Sequence, residues 1–204
     1  MIAKIGKGSN MYGVILYNQQ KVETENGAVL LLNKIPDTID GRYSAQYFNK
    51  CFEPYLAANV KTEKTVRHIS LNPDPADKVS DEQFTDMAQE YMERMGYGNQ
   101  PYIVFKHTDI DRTHIHIVST CVAIDGKKIP DDYDHPRSMA ICRDLEQKYN
   151  MKKATEQEQK QVNKVFKPVN HKNGDIKSQI ASVVRHLPKY YSFSTMGSYN
   201  ALLS

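Results

Sequence analysis

His114 and His116 flank Ile115 in the run THIHIVSTCVA, whose β-branched content and length predict a strand. Side chains alternate faces along a strand, so both imidazoles leave the sheet on the same side and can share one metal ion. His107 ends the preceding strand-like segment PYIVFKH, and the short acidic turn TDIDR folds it back beside the pair. One hairpin thus supplies three neutral nitrogen ligands. Three protein ligands leave coordination positions open, as a catalytic rather than a closed structural site requires. Histidines two apart on a strand also occur as plain outward polar residues, so the metal reading needs His107 and the turn as well. Asp109 and Asp111 sit where a carboxylate can accept the second ring proton of a ligand and fix its tautomer, although acids in tight turns equally serve local hydrogen bonds.

The elements that position these residues read as a mixture of strands and helices. MIAKIG suits a short strand, GKGSN a turn with an N-cap at Ser9 or Asn10, and MYGVILYNQQ a helix. Asp40 to Ala58 reads as a helix interrupted at Pro54, with Tyr43, Tyr47, Phe48, Phe52 and Tyr55 at helical intervals as packing residues. TVRHISLN has strand character, and the two prolines of NPDPADK predict a loop behind it. The clearest helix starts at Ser80, whose capping box uses Gln83; Phe84, Met87, Ala88, Tyr91 and Met95 form its apolar stripe and Gly96 ends it. DGKK predicts a turn, and Asp134, His135 and Pro136 open a helix with Ile141, Leu145 and Tyr149 on one side. Hairpin pairing dominates, so the expected class is α+β, an antiparallel sheet with the histidine strand central and helices covering one face.

Residues 1–150 are expected to form the core. Residues 151–204 read as a basic C-terminal helical extension, ending at YNALLS within an amphipathic pattern and therefore expected to be truncated. Of 204 residues with net charge +3, the window Lys148–Lys189 holds ten Lys or Arg against three acids, leaving it at +7 and the rest at −4. That asymmetry suits contact with a polyanion and equally a solvated helix face. Cys51, Cys121 and Cys142 are odd in number and lack CxxC spacing, so neither a disulfide framework nor a cysteine zinc site is indicated. No stretch approaches the ~20 apolar residues of a membrane span, and a cytoplasmic location is expected.

HTDIDRTHIHIVST resembles the three-histidine motif of relaxases in the mobilisation-protein A-like family, within the larger group of His-hydrophobe-His endonucleases. MIAKIGKGSNMYGVILYNQQ is similar to that family's N-terminal segment bearing a nucleophilic tyrosine, and RHISLNP and MGYGNQPYIVFKH to the stretches leading into the histidines. The resemblance covers most of residues 1–150. It implies a central sheet of about five strands, a divalent cation (Mn2+ or Mg2+) on His107, His114 and His116, and Tyr17 as nucleophile on the scissile phosphate, with Tyr12 as the second candidate. One departure stands out: the family often carries Asn four residues beyond the last histidine, where this chain has Thr120.

The chemistry matches the residue types. A neutral phenol is a weak nucleophile, and a cation polarising the phosphate supplies several kcal/mol of electrostatic help. A phosphotyrosine product retains the ester bond, so a 3′ hydroxyl can reverse the reaction, which suits strand transfer at a bacterial transfer origin during mobilisation of a plasmid or integrative element. Expected partners are single-stranded DNA, accessory relaxosome proteins and a coupling protein. Lys4, Lys7, Arg42, Arg67 and Arg112 are candidate phosphate contacts. His68, on a predicted strand, reads as a structural residue or one that supports a ligand, and His135, His171 and His186 as cap or surface residues. Rival readings are a rolling-circle replication initiator, whose tyrosine usually follows the histidines rather than preceding them, a non-catalytic DNA-binding accessory protein, and a small-molecule metalloenzyme.

Overall fold

In the computed structural model, β1 (Ile2–Gly8), β2 (Ala28–Asn33), β3 (Val66–Asn72), β4 (Tyr102–His107) and β5 (His114–Thr120) form one antiparallel sheet in the order β1-β3-β5-β4-β2. The structure describes residues 1–24, 27–38, 41–108 and 113–154, within a compact unit spanning Met1–Glu158. Among the described residues, four helices, α1 (Met11–Thr24), α2 (Ala45–Ala57), α3 (Asp81–Arg94) and α4 (Asp134–Lys148), complete an α+β fold with the histidine strand β5 at its centre. The C-terminal helices expected beyond residue 154 lie outside the described residues, as do Asp109, Asp111 and Arg112.

Register decides which residues meet. Lys4 lies opposite Ser70, Ser70 opposite His116 and His116 opposite Phe105, while Gly6, His68, Val118 and Ile103 make the adjoining row. Strand alternation puts both rows on one face of the sheet. On that face α1 contributes Met11 and Ile15, and α2 contributes Phe48 and Phe52, to a core with Val66, Ile103, Phe105 and Val118. The other face packs Ile69, Leu71, Val104, Ile115 and Ile117 against Phe84, Met87 and Tyr91 of α3 and Ile141 and Leu145 of α4. Helices therefore cover both faces, correcting the expectation of one; β5 carries Ile115 and Ile117 on one face and His114, His116 and Val118 on the other, so each side needs a partner. At the β1 edge the histidine face stays open, with Ile2, Lys4 and Gly6 exposed.

Local chemistry accounts for the boundaries. Asn10 caps α1 by accepting from the Gly13 amide at 2.8 Å, and Ser80 with Gln83 forms a reciprocal capping box on α3. Gly96 ends α3 at φ +85°, a left-handed conformation that costs glycine nothing. Helix α2 begins at Ala45, later than expected, because Ser44 accepts from the Tyr47 amide and residues 41–44 are not helical. Pro54 does not interrupt it. Lying in the final turn, it forfeits one hydrogen bond near the helix end, while Phe48 and Phe52 are already buried. Strand β2 is not among the elements expected from the sequence; its run AVLLLN follows Gly27 and is too short for a stable helix, which is the signal for it.

Two of the expected phosphate contacts, Arg67 and Lys7, occupy odd positions on β3 and β1 and lie on the other side of the sheet from the histidines. Arg67 is 1% exposed and donates to Tyr97 Oη, to the Lys64 and Val66 carbonyls and to Asp131, leaving no surface guanidinium for DNA. Lys7 pairs with Asp131 at 2.6 Å and Asp134 at 3.2 Å. Hydrogen bonds from Lys128 and then Lys7 hold the Asp131 carboxyl well below the usual carboxylate range. Asp131→Asn is expected to destabilise the fold at neutral pH by roughly 1–3 kcal/mol, the cost of a buried donor losing its partner. Because the folded carboxyl is the stronger acid, that contribution is complete above its ordinary pKa of about 3.9 and fades as pH falls below it. Urea unfolding of both proteins at neutral pH and near pH 2.5 checks this: the difference should shrink at the lower pH.

Candidate metal centre

Pairing of β4 with β5 closes on His107 opposite His114, and His116 follows two residues along the same face. The three rings converge, with centroids 4.5 Å apart for His107 and His116, 5.0 Å for His114 and His116, and 5.6 Å for His107 and His114. One nitrogen from each lies within 4.8 Å of the others, close enough for small side-chain rotations to bring all three onto one cation. His107 is fully buried and His114 is 6% exposed, so the rings are held by packing. A set of three nitrogen ligands fits a divalent ion whose remaining coordination positions are filled by oxygen donors.

A fourth imidazole joins from the neighbouring strand. His68 Nε2 lies 2.8 Å from His116 Nδ1, leaving His116 Nε2 as the nitrogen available to the cation. Burial disfavours charge on both rings. The His116 pKa is driven down to about 2, first by desolvation and then by His68, His107, His114 and Lys21, while burial lowers that of His68. Both therefore stay neutral at physiological pH, the form that binds metal.

Helix α1 crosses this cluster. Its buried positions Met11, Ile15 and Asn18 follow helical spacing, and Asn18 Nδ2 reaches within 3.5 Å of His68 Nε2. Tyr17, the next residue back, is 50% exposed, and the Lys21 ammonium sits 5.5 Å from its ring centroid. Tyr12 lies six residues before Asn18, about 9 Å along the helix axis, and its hydroxyl accepts from Gln46 of α2 at 3.3 Å. Of the other expected residues, Lys4 is exposed on the histidine face two strands from His116, and Arg42 is exposed in the loop before α2. Thr120 is buried; its Oγ1 donates to the Thr65 carbonyl and accepts from the Val122 amide. The position thus pins the end of β5, about four residues or 13 Å from His116. Asn18 and Lys21 escaped the sequence reading. A polar residue on the inward face of an otherwise apolar helix was the signal for Asn18.

Three imidazoles thus converge from the adjacent strands β4 and β5, beside an N-terminal helix carrying an exposed tyrosine, an arrangement able to hold a divalent cation. A family model described as relaxase, MobA/VirD2-like, nuclease domain matches residues 17–151, and the chain belongs to that family. No curated protein and no solved structure was found to match it. Membership makes the chain a relaxase-type nuclease domain, and no helix among the described residues is long and apolar enough to cross a membrane.

Occupancy of this centre should register as stability. A cation supplied at a hundred times its dissociation constant is expected to raise unfolding free energy by about 2.7 kcal/mol. His116→Ala should abolish that gain in a melting titration with Mn2+, and a chelator should reverse it in the unaltered protein.

Proposed function

We propose that this domain nicks single-stranded DNA at a transfer origin by tyrosine transesterification, initiating conjugative mobilisation of a plasmid or integrative element in the bacterial cytoplasm. The observation supporting this reading is the contact of Asn18, the neighbour of Tyr17 on α1, with His68, whose ring in turn meets His116 of the three expected ligands. Membership of the relaxase nuclease family supports a nicking role.

In the reaction, Tyr17 Oη attacks the scissile phosphorus and releases its proton to solvent or a nearby base. The bond from phosphorus to the 3′ oxygen breaks, that oxygen takes up a proton, and the 5′ phosphate stays joined to the phenol. Bound at His107, His114 and His116, Mn2+ or Mg2+ would draw charge from the non-bridging oxygens. Lys21, beside the Tyr17 ring, adds positive charge on the approach side. Lys4, on the open edge of the histidine face, with Arg42 and Arg112, holds flanking phosphates. Asp109 and Asp111 orient the ligand rings. The basic window from Lys148 onward extends the contact with DNA, and accessory relaxosome proteins and a coupling protein deliver the product strand.

The test is a suicide-adduct assay with Mn2+ and single-stranded oligonucleotides carrying the element's transfer origin. A covalent protein–DNA band is expected, abolished in Tyr17→Phe and retained in Tyr12→Phe. Absence of any adduct from metal-loaded protein would favour an accessory DNA-binding role.

A further inference from the structure

For His116 to offer Nε2 to a cation, its Nδ1 must carry the ring proton, and that proton needs an acceptor. The nearest group is His68 Nε2 at 2.8 Å. At that separation one nitrogen of the pair carries a proton and the other a lone pair, since two protons would collide and two lone pairs would repel. Asn18 resolves which. Its Nδ2, a donor only, donates to the Val14 carbonyl at 2.8 Å and turns toward His68 Nε2 at 3.5 Å. A donor on that side favours a lone pair on His68 Nε2, hence a proton on His116 Nδ1. The longer contact orients by its dipole rather than as a full hydrogen bond. Asn18 itself is fully buried, so the amide is held in place.

We propose that Asn18 and His68 form a positioning chain that locks His116 into its metal-binding tautomer and couples the metal centre to the helix bearing Tyr17. The proposal rests on the metal-centre reading above. Its logic matches that of ligand histidines whose second nitrogen donates to a supporting acceptor, with one difference of consequence. A supporting carboxylate would add negative charge beside the ion. A neutral imidazole adds none, so more of the cation's charge remains for a bound phosphate. His68 is thus a positioning residue acting through His116, and Asn18 acts through His68. Because Asn18 adjoins Tyr17 in sequence, a shift of α1 along its axis disturbs the metal ligand and the nucleophile together.

Three measurements made without DNA test this, so they are independent of whether the domain nicks. Long-range 15N NMR of the metal-free protein should find His116 protonated at Nδ1. In His68→Leu the preference should be lost and the Mn2+ dissociation constant, from calorimetry, should rise roughly 10- to 100-fold. His68→Gln, which returns an acceptor oxygen, should recover most of that affinity. Asn18→Leu should shift the His116 tautomer balance in the same direction as His68→Leu but by less. A His116 ring protonated at Nε2 in the unaltered protein would overturn the proposal. So would His68→Leu binding Mn2+ as tightly as the parent, or nitrogen hyperfine couplings from four imidazoles, which would make His68 a ligand instead.

Discussion

Everything at this site depends on the register between β4 and β5. His107 faces His114 across the hairpin, and Phe105 faces His116 one step further in. A slip of one residue would send the β5 imidazoles to the opposite face of the sheet. Apolar side chains on both faces prevent it. Ile115 and Ile117 are buried under α3 and α4, while Val118 and Phe105 are buried under α1 and α2. Fully burying side chains of this size is worth roughly 1.5–3 kcal/mol each, and inverting the strand would forfeit this packing by setting His114 and His116 against the apolar side chains of α3 and α4. The hydrophobic pattern of one central strand thereby fixes the geometry of the ligands.

That arrangement also explains why His116 remains neutral. Placed between a packed sheet and α1, it loses solvation, and the neighbouring imidazoles raise the cost of charging it. The positive side chains divide by face. Arg67 and Lys7 serve a structural network with Asp131 on the far side, while Lys4 and Lys21 belong to the side of the histidines. Basic residues close in sequence therefore do different work, because strand alternation separates them.

Much of this was readable from residue order. The faces of His114 and His116, the return of His107, the capping box at Ser80 and the glycine stop at Gly96 all follow from periodicities and turn chemistry internal to one element. What escaped depends on contacts between elements. The charge of Arg67 gives no hint that Tyr97 and Asp131 will meet it beneath the sheet. The start of α2 hinges on Ser44 rather than Asp40, a choice that local propensity leaves open. β2, an edge strand, has a short apolar run without alternation and shows its role only when β4 pairs with it. The second helical layer follows from β5 carrying apolar residues on one parity and histidines on the other, a pattern visible in the sequence once both faces are considered together.

The most direct test of the central claim is a crystal structure of Tyr17→Phe soaked with Mn2+ and bound to a single-stranded oligonucleotide spanning the nick site. The expected result is one anomalous peak within coordination distance of His107, His114 and His116, with a phosphate oxygen on the same ion and the edge of the substituted ring at position 17 facing that phosphorus. An ion bound elsewhere, or a ring at position 17 turned away from the phosphate, would contradict it.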